Sequence, residues 1–296
     1  MAAPQPSGYL DFINCCAVLK SFSSIFIYAI NKKNFQLIKI MIPLFLRIIY
    51  LNRSKYIFLR RGTLTNKLRS EKLEIERIIF IGRTYKEYLK MFDLSLPELE
   101  RKNILDCPAG ACSFSAKGRQ KGLNIEACDI AYYFNRVDLY AKGKEDIQHT
   151  IEKMKNSEDN YNWNYFKNIE DLKYQRQQAL EDCVEDMKRH NNQYKAVSLP
   201  ELPYCDEAFD IVLSAHFLFM YADRLDYAFH IKCLEELLRV SKKELRIFPL
   251  VDLEGHRYAY LDHIIKNLTE LGYNVSECKV DYEFQTHANT MLKIVK

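Results

Sequence analysis

From about residue 71 onward the apolar positions fall into runs of two kinds. Helical spacing marks residues 71–92, closing on the run Tyr85-Lys-Glu-Tyr-Leu-Lys-Met-Phe92, and residues 113–121, which Gly122 ends as a C-cap. Tyr227, Ile231, Leu234 and Leu238 recur at i, i+4, i+7 and i+11, one apolar stripe. Leu261, Ile264, Ile265, Leu268 and Leu271 mark a further helix, ended by Gly272. Between them lie runs too short for helices: Asn103–Asp106, Asn124–Asp129, 194–199, 209–214 and 244–248. Residues 275–282 and Thr290–Val295 close the chain as two antiparallel strands with a short connection. Strands alternating with helices predict an α/β protein with a doubly wound sheet, here of seven strands ending in an antiparallel hairpin.

One interval breaks the alternation. Roughly 60 residues separate the second and third strands, with Ile147, Ile151 and Met154 spaced for one helix and Leu180, Val184 and Met187 for another. This helical insert, about 135–192, stands near the carboxyl ends of the strands. It is either a lid over a ligand or a packing subdomain.

Charge separates the first 70 residues from the rest. They carry 11 Lys/Arg and a single acid, Asp11, whereas residues 71–296 hold 32 basic and 38 acidic side chains. The apolar stretch from Gln36 to Leu51 is interrupted by Lys39, Pro43 and Arg47, so it falls short of the ~20 apolar residues of a membrane span. Residues 1–70 therefore read as a basic, apolar extension, disordered or interfacial. Residues 12–70 would give peripheral membrane contact in one reading and a targeting segment in another. An upstream extension without its own function fits the compositional break best. The globular part, 71–296, is mildly acidic and carries no clear nucleic-acid footprint. The nine cysteines form no C-x-x-C pair and no zinc spacing, which points to a reducing, cytoplasmic setting with no metal and no disulfide framework.

Ligands of open α/β sheets bind outside the carboxyl ends of the strands. Asp106 ends the first strand and opens Asp106-Cys-Pro-Ala-Gly-Ala-Cys-Ser-Phe114, a loop of small residues that lets backbone approach a ligand. Asp129 ends the second strand about 20 residues on, where a carboxylate can accept both hydroxyls of a ribose; its other role would be a helix N-cap. After the fourth strand comes Ser214-Ala-His-Phe-Leu-Phe-Met-Tyr221, with His216 the candidate general base and Tyr221 beside it as a second candidate catalytic side chain. His230 reads as a helix-surface residue.

The order Asp106…Gly110, Asp129, Leu202-Pro203-Tyr204…Phe209-Asp210-Ile-Val-Leu-Ser214 and Leu234-Glu-Glu-Leu-Leu-Arg239-Val240 resembles the class I S-adenosylmethionine-dependent methyltransferases. The resemblance runs over about residues 80–296. Through Gly82-Arg-Thr-Tyr85 to Phe92 it is similar to a bacterial group known only as methyltransferases. It implies a Rossmann-like fold and S-adenosyl-L-methionine as cofactor. Pro108, Ala109 and Gly110 would face the methionine part, Asp129 the ribose, Ile130 and Leu199 the adenine. Asp106 would orient the loop or bind through water, and Ser214 completes the cofactor set. Two departures stand out: Pro108 replaces a usual glycine, and Ser241-Lys-Lys243 replaces a usual Pro-Gly-Gly turn. The sequence lacks the motifs of exocyclic-amine and cytosine C5 methylation after strand four, which favours a small-molecule acceptor. A non-catalytic Rossmann-like binding module and an RNA or protein methyltransferase are the alternatives. A nicotinamide oxidoreductase is disfavoured, because no G-x-G-x-x-G follows the first strand.

Overall fold

The computed structural model describes residues 79–155 and 157–296. The basic extension 1–70 and the first eight residues of the expected helix 71–92 lie outside the described residues. Among the described residues of that helix, Tyr85–Met91 form α1, and Ile79–Arg83 run without regular structure up to Thr84. Thr84 and Glu87 form a capping box, which starts the helix there and not upstream. A short α2, Leu96–Leu99, follows.

The sheet then assembles in the order β3-β2-β1-β4-β5-β7-β6. Its strands are β1 (Asn103–Asp106), β2 (Asn124–Asp129), β3 (Tyr194–Ala196), β4 (Phe209–Ala215), β5 (Ser241–Phe248), β6 (Asn274–Lys279) and β7 (Thr290–Val295). The first five are parallel, and β7 inserts antiparallel between β5 and β6. The fold is thus the expected seven-stranded Rossmann-like α/β sheet with a C-terminal antiparallel hairpin. The connection from β6 to β7 is ten residues, 280–289, longer than expected. The third strand stops at Ala196, before the expected residue 199. Strand β5 begins at Ser241, so Ser241–Lys243 are strand and not a turn: α6 (Tyr227–Val240) passes straight into β5.

Alternate side chains of the strands feed two cores, one on each face. Ile104, Ile211 and Leu213 pack with α1, α3 (Phe114–Gln120) and the insert, whereas Leu105, Val212 and Leu245 pack with α6 and α7 (Leu261–Glu270). Gly122, at φ +82°, ends α3 in a Schellman arrangement: its N–H reaches Arg119 O and that of Leu123 reaches Gly118 O. Leu271 is the one member of the predicted α7 stripe that faces solvent, 74% exposed just past the helix end.

The insert is two antiparallel-reading helices, α4 (Arg136–Met154) and α5 (Ile169–Arg189), each buried along the predicted stripe. Arg119 of α3 binds Asp186 of α5, which also accepts from the Tyr194 hydroxyl at 2.8 Å. The insert therefore sits on the sheet through a buried polar cluster as well as apolar packing. No helix among the described residues is long and apolar enough to cross a membrane.

Candidate functional site

Two adjoining features occupy the carboxyl ends of the strands. The first lies at β1 and β2. Asp129, 9% exposed, caps a short 3-10 turn (Ile130–Tyr133): its Oδ1 accepts from Ala131 N–H at 2.7 Å. Its Oδ2 accepts from Gly110 N–H at 2.8 Å. The N-cap reading of Asp129 holds, and the same carboxylate also fixes the loop after β1. A carboxylate offers about four acceptor positions, so two remain for outside donors. Burial raises the Asp129 pKa above the ordinary aspartate value, and the two backbone N–H groups only partly offset this.

Gly110 adopts φ +54°, and a Cβ built on it would meet nothing within 4 Å. The loop thus presents bare backbone to open space, held by Ala109 N–H to Cys128 O at 2.9 Å and by the Tyr132 hydroxyl to Gly110 O at 2.8 Å. Pro108 follows a cis peptide bond from Cys107. Asp106 is fully buried; Oδ1 accepts from the Tyr88 hydroxyl at 3.0 Å, and Oδ2 has no partner. Burial pushes its pKa well up, Asp129 adds to the shift, and Tyr88 and Arg119 oppose it. Ser214, beside it on β4, is also buried with its Oγ unpartnered. Ile130, 49% exposed, and the half-buried Leu199 stand at the tips of β2 and β3. The structure gathers Asp106, Pro108, Ala109, Gly110, Asp129 and Ile130 at this end of the sheet, with Ser214 and Leu199 on the neighbouring strand ends.

The second feature is a cavity of about 120 Å³ at the ends of β4 and β5. Its walls come from the segment before α1 (Ile79, Ile81, Arg83), α4 (Ile147, Ile151, Met154), the α4–α5 connection (Tyr161), α5 (Leu172, Arg176), the turn after β4 with the end of β5 (His216, Tyr221, Phe248), and the β6–β7 connection (Tyr282, Phe284). The insert is therefore a wall of the cavity. It is tied to the far side by Asn162 N–H to Phe284 O at 2.6 Å and by Tyr161 stacked on Phe284 with centroids 5.0 Å apart. The two features join at the segment 82–84. Arg83 N–H reaches Cys112 Sγ at 3.1 Å, and Ser113 N–H reaches Arg83 O at 3.0 Å, so one wall of the cavity lies against the glycine loop.

His216 and Tyr221 both line the cavity. His216 has φ +52°, its N–H donates to Phe248 O at 2.6 Å, and its buried Nδ1 has no partner. Burial, then the positive charges of Arg83 and Arg176, hold its pKa well below the usual histidine value. The folded chain thus refuses a proton that the unfolded chain binds near pH ~6.5. Its contribution to stability is complete above that pH and declines as the pH falls toward the folded pKa, by up to about 1.4 kcal/mol per unit. His216→Asn, which tolerates the same backbone, is expected to remove this decline. Urea unfolding of both proteins between pH 5 and 8 checks it; a wild-type-minus-variant difference independent of pH contradicts a neutral imidazole. Tyr221 is 4% exposed, and burial raises its pKa, so it presents a neutral phenol.

Two buried polar residues outside the cavity lining stand apart from the sequence reading. Glu87, fully buried, accepts from Arg176 Nη1 at 2.7 Å, the Tyr282 hydroxyl at 2.7 Å and Thr84 N–H at 2.8 Å. The capping-box spacing of Thr84 and Glu87 was the available clue, since it places Arg83 in the turn before a helix. His230, expected on the surface, is fully buried, with Nδ1 on Asp226 O at 2.7 Å and Nε2 on Leu218 O at 3.0 Å. It holds the turn after β4 to α6, a structural task. No group of side chains suited to a metal ion occurs among the described residues.

No family model matches the chain. The uncharacterised protein MJ0045 of Methanocaldococcus jannaschii is 34% identical over 223 residues, 75% of this chain and 98% of that protein. Among solved structures, magnesium protoporphyrin IX methyltransferase from Synechocystis is 13% identical, with a TM-score of 0.40 over 83% of this chain and 93% of that one. A SAM-dependent methyltransferase from Aquifex aeolicus is 15% identical, with a TM-score of 0.35 over 71% of this chain and 91% of that one. Likenesses this weak do not bear on activity.

Proposed function

We propose that this chain, which belongs to the family of the uncharacterised M. jannaschii protein MJ0045, is an S-adenosylmethionine-dependent methyltransferase acting on a small molecule. The observation that carries the reading is the Asp129 carboxylate, fixed by Gly110 and Ala131 N–H with acceptor positions to spare, beside a glycine loop open to solvent. Two spare acceptor positions match the two vicinal hydroxyls of a ribose. Bare backbone at Gly110 suits the amino-acid tail of the same cofactor. The unpartnered Asp106 Oδ2 and Ser214 Oγ are buried polar atoms awaiting a polar ligand or water. The sequence resemblance to the class I methyltransferases and the strand order, with its inserted antiparallel β7, favour the same reading.

When bound, the cofactor supplies an electrophilic methyl group on a sulfonium. What the chain contributes is alignment and exclusion of water, because such a displacement loses charge and needs little electrostatic stabilisation. The cavity beside the loop is enclosed mainly by Ile, Leu, Met and Phe side chains, which supports a small acceptor over a folded RNA or protein. His216, neutral and unpartnered at Nδ1, is the group available to accept a hydrogen bond from the acceptor and orient it. Its lowered pKa makes it a weak proton acceptor, which favours acceptors that arrive already deprotonated.

Calorimetry of the full chain with S-adenosylhomocysteine tests the reading. Binding is expected, and Asp129→Ala is expected to weaken it by about tenfold or more, the loss of charged hydrogen bonds to the ribose. An unchanged affinity in the variant, or no binding to the wild type, overturns it.

A further inference from the structure

The polar groups of the cavity do not balance. Its lining contains two guanidiniums, Arg83 and Arg176, and no carboxylate. Glu87, just behind the wall, neutralises Arg176 through the 2.7 Å ion pair. Arg83 has no ion pair among the described residues, and its Nε is buried without a hydrogen-bond partner. Arg176 is 4% exposed, and its Nη2 is likewise buried and unpartnered. Asp146 of α4 is engaged by Phe80 N–H at 2.8 Å and by Lys142. One positive charge is left over at the cavity, on a half-buried guanidinium whose Nε is shut off from water, an arrangement that favours the arrival of an anion. Burial and then the neighbouring Arg176 lower the Arg83 pKa, and Tyr282 and Glu87 only partly offset them.

The rest of the lining is apolar, with Ile147, Ile151, Met154, Leu172 and Phe248 among its walls. The volume of about 120 Å³ is of the order of the ~150 Å³ apolar cavity that admits one benzene ring. We infer that the cavity takes a carboxylate on an apolar body about one ring in size, its carboxylate meeting Arg83 and the free Nη2 of Arg176. If the methyl-transfer reading above holds, on which this last step rests, that carboxylate-bearing molecule is the methyl acceptor. The planar fork of a guanidinium matches a carboxylate edge, and two of them converging on one end leave the other end to the apolar wall.

The single tryptophan, Trp163, packs against two lining residues, 6.4 Å from Tyr161 and 5.4 Å from Phe284 between ring centroids, so its fluorescence reports on the cavity. Titrating the full chain with benzoate and phenylacetate, against benzamide and phenylacetamide as neutral matches of the same shape, is expected to show the acids binding at least about tenfold tighter. Equal binding of acids and amides, or no binding of the acids, overturns the inference; this comparison needs no variant. In Arg83→Met the preference is expected to fall to about twofold or less while Tm stays level or rises, since a half-buried charge without an ion pair is removed. Calorimetry with S-adenosylhomocysteine on the same two proteins separates the sources of the carboxylate. A variant that loses S-adenosylhomocysteine but keeps its preference for acids would assign Arg83 to the cofactor's tail and overturn the inference. Acid preference in a wild type that binds no S-adenosylhomocysteine would sustain the carboxylate site and defeat the methyl-transfer reading alone.

Discussion

Glu87→Gln is expected to cost about 3–5 kcal/mol of folding free energy at neutral pH, enough to lower Tm by roughly 10 °C. The side chain changes little in size, so the loss is electrostatic. In the wild type, burial opposes the charged form of Glu87. The charge and hydrogen bond of Arg176, the charge of Arg83 and the Thr84 N–H overcome that opposition and hold its pKa below the ordinary glutamate range. An amide leaves the buried guanidinium of Arg176 without its carboxylate, and the charge of the half-buried Arg83 adds to the imbalance. The single change therefore leaves an uncompensated charge, the costly way to break a buried pair. Its pH signature has a definite sign. A carboxylate with a depressed folded pKa contributes stability above the unfolded pKa and loses it as the pH falls through the folded value, so wild type and variant should converge in acid. A double variant, Glu87→Gln with Arg176→Met, should recover much of the loss, because it removes both partners. Urea unfolding of the wild type and the two variants at pH 7 and pH 4 measures all of this. A Glu87→Gln protein within about 1 kcal/mol of wild type would show that Arg176 and Arg83 are solvated and that the cavity carries no excess charge.

The frame of the molecule was legible because its strands obey simple rules. Residues Asn103–Asp106 and Asn124–Asp129 form strands at the predicted bounds, since both faces are covered and the apolar runs end where Pro, Gly or an acid begins. The insert's helices follow their stripes for the same reason. Where the reading slipped, a local signal was overruled by a partner far along the chain. Ser241-Lys-Lys243 looks like a turn, yet it pairs as the start of β5, with Ser241 buried opposite Phe209. The apolar run Ile79–Ile81 looks like a continuation of a helix, but the Thr84 cap forces the start to Tyr85. His230 sits on a helix whose surface was read from polarity alone; the carbonyl of Leu218, 12 residues earlier, is what buries it.

The site divides along the same line. Asp129 could be found because a strand-tip acid after a loop of small residues is a local pattern. That its Oδ2 would fix Gly110 could not, because that contact exists only once β1 and β2 lie side by side. The charge imbalance of the cavity was wholly hidden. Glu87 and Arg176 are 89 residues apart, and the capping-box spacing of Thr84 and Glu87 marks a helix start without pointing to Arg176.

Gly82→Ala is the second change expected to have a large effect, because it strikes the seam between the two halves of the site. A Cβ at this position would lie 1.8 Å from Ala111 O, 2.2 Å from its carbonyl carbon and 2.7 Å from Cys112 N. All three are backbone atoms of the loop after β1, so no side-chain rotation relieves the clash. Either the segment 79–84 or the loop must withdraw, which breaks Arg83 N–H to Cys112 Sγ, Ser113 N–H to Arg83 O and Tyr85 N–H to Ser113 Oγ. A loss of about 3 kcal/mol is expected, the upper part of the range for overpacking. The functional consequence distinguishes this variant from the others. Asp129→Ala should weaken S-adenosylhomocysteine alone, and Arg83→Met should abolish the preference for acids alone. Gly82→Ala displaces Arg83 and the Gly110 loop together, so both affinities should fall. Paired titrations at a temperature where the variant remains folded make the comparison. Wild-type stability with both affinities intact would mean that the segment before α1 does not lie on the glycine loop, and the cavity and the Gly110 loop would then be unconnected.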